Sequence, residues 1–116
     1  MEDRPAKQAR TSGSIPTVTL GTSLSVKRLL IGLWQVADLE REGGLGLDKE
    51  AAVRDLRAYA EAGLTTFDMA DHYGSAELLI GEVMKGADAP PDVVPLTKWV
   101  PKPGPEVCAW SSGVRP

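Results

Sequence analysis

A chain of 116 residues, 42% hydrophobic and 25% charged, has room for one small domain and no second independent core. Its formal charge of −3 lacks the concentrated basic face of a nucleic-acid binder, and the longest apolar run, LLIGLWQVA at 29–37, is far short of a membrane span. The single cysteine, Cys108, cannot close an internal disulfide, and the opening MEDRP is acidic rather than an apolar secretory signal. A reducing, cytoplasmic setting is the expectation, with a plastid address reserved for a longer form.

Residues 1–16 are polar, with proline and small residues and no period, and read as a flexible leader. Residues 17–20 (TVTL) and 26–34 (VKRLLIGLW) then predict two strands, with GTSLS as their hairpin loop. A charged, glycine-rich loop follows at 38–46. Asp48 is placed to cap a helix in which Val53, Leu56, Tyr59 and Ala60 share one side and Gly63 provides the stop. On the other side, Glu50 with Arg54 and Arg57 with Glu61 stand at the spacing of ion pairs. Residues 64–70 (LTTFDMA) predict a strand. Ser75 is expected to cap a second helix carrying the pairs Leu79/Val83 and Ile80/Met84, with Gly86 ending it. A further strand is expected at 93–98, weakened by Pro95, and from Pro101 the proline-rich end has no helical pattern.

Strands alternating with amphipathic helices imply βαβ units and a parallel sheet. Right-handed crossovers bring the strand C-terminal ends to one rim, where α/β folds bind ligands. Trp34, the stretch 68–73 and Lys98 all fall at or beyond such ends.

Three chemistries compete for that rim. Asp68, Asp71 and His72 include metal-ligating types, but His72 is the sole histidine and no second carboxylate cluster supports it, so no metal is expected. GGLGLDK at 43–49 lacks both the GxxxxGK[ST] and the GxGxxG spacing, and reads as a mobile loop. Proton transfer fits best. Asp68 needs a partner in its strand, Lys98 can supply it, and the lysine charge would favour the Tyr73 phenolate. A positive charge about 4 Å from a phenol contributes about 4 kcal/mol at an effective dielectric near 20. That is about three pKa units, which makes a phenol a competent general acid near neutrality. Spacing alone leaves open the alternative of a structural Asp68–Lys98 ion pair beside a tyrosine that merely packs.

GLTTFDMADHYGSAELLIGE at 63–82 resembles the signature of the aldo-keto reductases: glycine, an apolar residue, Phe-Asp-x-Ala, Tyr-Gly, a glutamate and a closing glycine. The Asp68-to-Tyr73 spacing, the strand ending Leu96-Thr97-Lys98, the opening hairpin and GLWQVA at 32–37 match as well, and GLWQVA and TKWVPKPG look closest to a plant or photosynthetic-lineage branch. The resemblance covers about residues 17–105. It implies an α/β fold: an N-terminal hairpin and the first three β/α units of a (β/α)8 barrel. It also implies NADPH-dependent reduction of a small-molecule aldehyde or ketone. Three members of the family's catalytic tetrad carry over as Asp68, Tyr73 and Lys98. In the family the tyrosine protonates the carbonyl oxygen, the lysine assists it and the aspartate holds the lysine. Leu33, Trp34, Gln35 and Asp68 match positions lining the cofactor and substrate cleft. Asp71 and His72 fall where the family varies, and read as bystanders.

The tetrad histidine has no counterpart, because His72 precedes Tyr73. A (β/α)8 barrel takes about 250 residues, and strands four to eight are missing from these 116. After PKPG the tail at 106–116 departs from the family, which suggests alternative splicing, a frameshift or an incomplete gene model. The expectation is a chain inactive by itself, with an open edge and an uncovered apolar face. The alternative is a non-catalytic fragment that associates with a full-length homologue or misfolds. Neither the oligomeric state nor the particular carbonyl substrate follows from the sequence.

Overall fold

The computed structural model describes residues 14–101. The tail at 106–116 and most of the expected leader lie outside them. Pro16, at the leader's end, is tied to the hairpin by the Arg28 amide, 2.8 Å from its carbonyl. Among the described residues no helix is long and apolar enough to cross a membrane.

Strands β1 (Thr17–Leu20) and β2 (Leu24–Lys27) pair antiparallel, with Leu20 opposite Leu24 across the turn. The second expected strand, 26–34, does not form as one element. VKRLLIGLW bends at 28–29, and β3 (Ile31–Gly32) joins a different sheet by pairing with Phe67 and Asp68. The end of the apolar run then becomes helix α1 (Trp34–Glu40), so the loop expected at 38–46 begins inside a helix.

The glycines that follow close this helix. Gly44 and Gly46 donate their amides to the Arg41 and Leu39 carbonyls at 2.8 and 3.0 Å. A Cβ on Gly44 would meet three carbonyl oxygens within 3.0 Å, so only glycine lets the chain wrap the helix end. Within GGLGLDK, Gly44 and Gly46 close α1, and Asp48 and Lys49 open the next helix.

Helix α2 (Lys49–Glu61) starts as read: the Asp48 carboxylate accepts from the Ala51 amide at 3.0 Å, and Leu56 and Ala60 are buried. The expected ion pairs along its outer side do not form. Arg54 lies 3.8 Å from Asp55, and Arg57 reaches instead to the Glu82 and Lys85 carbonyls, both at 3.1 Å. Those carbonyls lie at the end of helix α3 (Ala76–Val83) and just beyond it, so Arg57 caps a neighbouring helix from the side. Met84, expected on the apolar side of α3, is its exposed C-cap, whereas Leu79, Ile80 and Val83 are buried.

Strand β4 (Thr66–Asp68) lies between β3 and β5 (Val94–Leu96), all parallel, in the order β3-β4-β5. The Val94 amide and the Leu96 carbonyl bond to β4, so the Pro95 nitrogen, lacking a hydrogen, faces the outer edge. One face of the sheet packs on the helices, where Phe67 is fully buried with Leu33, Val36, Leu56, Leu79 and Val83. On the other face the hairpin is anchored by the Lys27 amide on Thr66 Oγ1 at 2.9 Å, at the start of β4. That leaves the opposite rim, where the strands end, free of the hairpin. The described residues thus form an open α/β unit of two β/α crossovers behind a hairpin, a partial barrel with no closure.

Candidate active site

Three strand ends meet at that rim. Asp68 is the last residue of β4, and its carbonyl accepts from the Leu33 amide at the end of β3, at 3.0 Å. Lys98 lies two residues beyond β5. Its ammonium donates to Asp68 Oδ1 at 2.8 Å and to the Met69 carbonyl at 2.6 Å. Tyr73 sits in the turn from β4 to α3, its amide on the Ala70 carbonyl and its own carbonyl accepting from Ala76, both at 3.1 Å. The ammonium stands 5.3 Å from the centre of the Tyr73 ring.

The structure thus brings Asp68, Tyr73 and Lys98 together, and it changes the electrostatics expected of them. The ion pair is not buried: the lysine and aspartate side chains are 46% and 41% exposed. Water therefore screens it, and the pair holds its partners more by hydrogen bonding than by a desolvated charge. The hydrogen bond to Asp68 holds the lysine above its ordinary value of 10.5.

An aromatic cluster borders the pair. The Trp34 indole meets Tyr73 edge-on at 5.2 Å, and His72 packs edge-on against both rings. Trp34 is 54% exposed at the start of α1, and Gln35 follows it on the surface. Leu33, expected to line the cleft, has its side chain in the core with 4% exposure, so only its backbone reaches the rim.

Two carboxylates organise this turn: Glu40, which the sequence left unassigned, and Asp71, which it reads as a bystander. Glu40, from the last turn of α1, accepts the Ser75 amide at 2.7 Å and also the Ser75 hydroxyl. Ser75 therefore does not cap α3 with its own side chain; a carboxylate from another helix does so, where the helix dipole favours it. The serine hydroxyl and then its amide hold the Glu40 carboxyl below its ordinary 4.5. Asp71 accepts the Val100 amide at 3.0 Å, and that bond lowers its carboxyl below the ordinary 3.8. His72 Nδ1 lies 3.3 Å from Asp71 Oδ1. Among the described residues no three metal-ligating side chains gather in one place.

A parallel sheet with an acid, a lysine and a tyrosine at its C-terminal rim, behind a hairpin at the other end, has the layout of an α/β enzyme's ligand-binding edge. The aldo/keto reductase family model matches residues 28–116, and the chain belongs to the aldo/keto reductase family, a family of oxidoreductases that use NADP(H). Comparisons with curated proteins and with solved structures gave no match.

Proposed function

We propose that this chain carries the proton-donating part of an NADPH-dependent carbonyl reductase, with Tyr73 as the general acid. The observation that carries this reading is the placement of Lys98, bonded at once to Asp68 Oδ1 and the Met69 carbonyl beside the Tyr73 ring. Reduction of an aldehyde or ketone adds a hydride to carbon and a proton to oxygen. NADPH supplies the hydride when bound. The Tyr73 hydroxyl supplies the proton, and the neighbouring ammonium favours the phenolate that remains. Asp68 keeps the ammonium in place and balances its charge.

The rim suits such a cofactor in what it offers. A Cβ built on Gly32 meets nothing within 4 Å, so the sheet face next to Asp68 is clear. Asp68, Trp34 and Gln35 present a carboxylate, an exposed ring and an amide there, with Leu33 contributing backbone only. The described residues leave this face open to water. A proton donor in that setting lacks the desolvation that makes preorganised charges effective, so the 116-residue chain alone is expected not to turn over.

The test is a hybrid in which residues 1–105 are joined to the later strands of a homologous reductase. It should reduce an aromatic aldehyde with NADPH, and Tyr73→Phe should lower kcat by about 100- to 10,000-fold. A folded hybrid whose rate ignores Tyr73→Phe refutes the assignment. Turnover by the unaided chain, lost on Tyr73→Phe, would refute its expected inactivity.

A second reading rests on the uncovered apolar side of the hairpin, where Val18, Leu20 and Leu30 are exposed around Leu96. There the chain is a non-catalytic partner of a longer reductase. Co-purification with such a reductase, abolished by Leu20→Ser, supports this role; failure to co-purify, or co-purification unchanged by Leu20→Ser, excludes it.

A further inference from the structure

We infer that Asp71 is a positioning residue for Lys98: its backbone amide and its carboxylate grip the segment that carries the lysine, at the Lys98 carbonyl and again at the Val100 amide. The inference rests on the carbonyl-reduction reading for its purpose, but its geometry stands apart from it.

The register explains how. In the parallel ladder between β4 and β5 the Val94 amide bonds to the Thr65 carbonyl and the Met69 amide to the Leu96 carbonyl, at 2.8 Å each. Regular strand ends at Leu96, yet the ladder continues one rung further, with the Asp71 amide on the Lys98 carbonyl at 3.0 Å. Two neighbouring rungs are then made by side chains. The Met69 carbonyl, due to accept from the Lys98 amide, accepts from the Lys98 ammonium at 2.6 Å. The Val100 amide, due at the Asp71 carbonyl, goes to Asp71 Oδ2 at 3.0 Å. Lys98 is held at its carbonyl and again two residues later, so its side chain turns back over β4 toward Asp68 and Tyr73.

Without the carboxylate the Val100 amide has only water, and the exposed segment 98–100 is free to swing out. The two-point hold sets the ammonium's position, whereas Asp68 answers its charge. The titratable groups facing Lys98 are Asp68 at the end of β4 and Tyr73 in the turn after it, and Asp71 has His72 beside it. Val100 as donor and the lowered Asp71 carboxyl agree with this arrangement.

The experiment follows the 13Cε resonance of Lys98 through alkaline titration in the 116-residue chain, assigned by Lys98→Arg. Wild type should titrate above 10.5. Asp71→Ala should move it back toward that value, and Asp71→Asn, which keeps an oxygen for the Val100 amide, should leave it near wild type. Val100→Pro removes the donor while sparing Asp71, and should reproduce the alanine result even if Asp71→Ala does not fold. An unmoved Lys98 in Asp71→Ala or Val100→Pro, or an asparagine variant displaced as far as alanine, overturns the inference. No turnover is read here. A failed reductase reading would leave these shifts intact, and a failed inference would leave the hybrid's dependence on Tyr73 intact.

Discussion

On its helix-covered face the sheet buries Phe67 completely among Val36, Leu56, Leu79 and Val83. On the opposite face and its rim, Asp68 and Lys98 keep close to half of their side-chain surface in solvent. The same three strands therefore have a dry side that sustains the fold and a wet side that carries the chemistry. Stability and reactivity are separated by the two-residue alternation of a strand: Phe67 points one way, Asp68 the other. Substitutions should report which side they strike.

The largest effect is expected from Phe67→Ala. Truncating a fully buried phenylalanine costs about 3–5 kcal/mol, enough to abolish cooperative unfolding in a unit this small. Leu20→Ser, on the exposed hairpin, should stay within about 0.5 kcal/mol. Urea titrations followed by circular dichroism compare the two, and similar losses would erase the distinction between the faces.

Gly74→Ala strikes the join between core and rim and should cost less. Gly74 has φ 53°, a conformation that costs a residue with a side chain about 1–2 kcal/mol. The added methyl group would also collide with the Glu40 carboxylate where it binds Ser75. Glu40→Ala placed on top of Gly74→Ala should then add little, because both break one contact. Full additivity in urea midpoints would show that the clip and the glycine are independent.

The smallest effects lie in pH. Glu40 is lowered in the folded chain, so its contribution is complete above 4.5 and is lost as pH falls through its lower folded value. Lys98 is raised, so its contribution is complete below 10.5 and is lost as pH rises past its higher folded value. Melting temperatures across both limbs should flatten at the acid end in Glu40→Gln and at the alkaline end in Lys98→Met. Exposure makes both contributions modest and salt-sensitive. An unchanged limb in either variant removes that group from the linkage.

Much of the site was legible from spacing. The interval from Asp68 to Tyr73 and the position of Lys98 after the next strand suffice to bring the three to one rim, since strand ends gather there in any parallel sheet. Helix α2 was equally plain, because Asp48, the apolar stripe and Gly63 are local signals. Helix α1 was not. It begins after Leu33, which offers no side-chain cap, and it continues an apolar run that reads as strand. The partners of Glu40 and Arg57 were also hidden, since each reaches across the fold to a residue 25 or more positions away. Both charged groups stood at positions that local rules assign to a loop or to a pair along one helix.

Pro95 has a bearing on the chain's behaviour in a crowded solution. Among the described residues no strand pairs with the outer edge of β5, and such an edge is the natural template for a second copy to extend the sheet. At its centre stands a residue with no hydrogen to donate, so an incoming backbone meets a gap in the row where growth would have to nucleate. The substitution Pro95→Val would restore that donor and leave the registered bonds of Val94 and Leu96 to β4 in place. What the proline weakens in the sheet is small; what it withholds from fibrous self-templating is the rung that matters most.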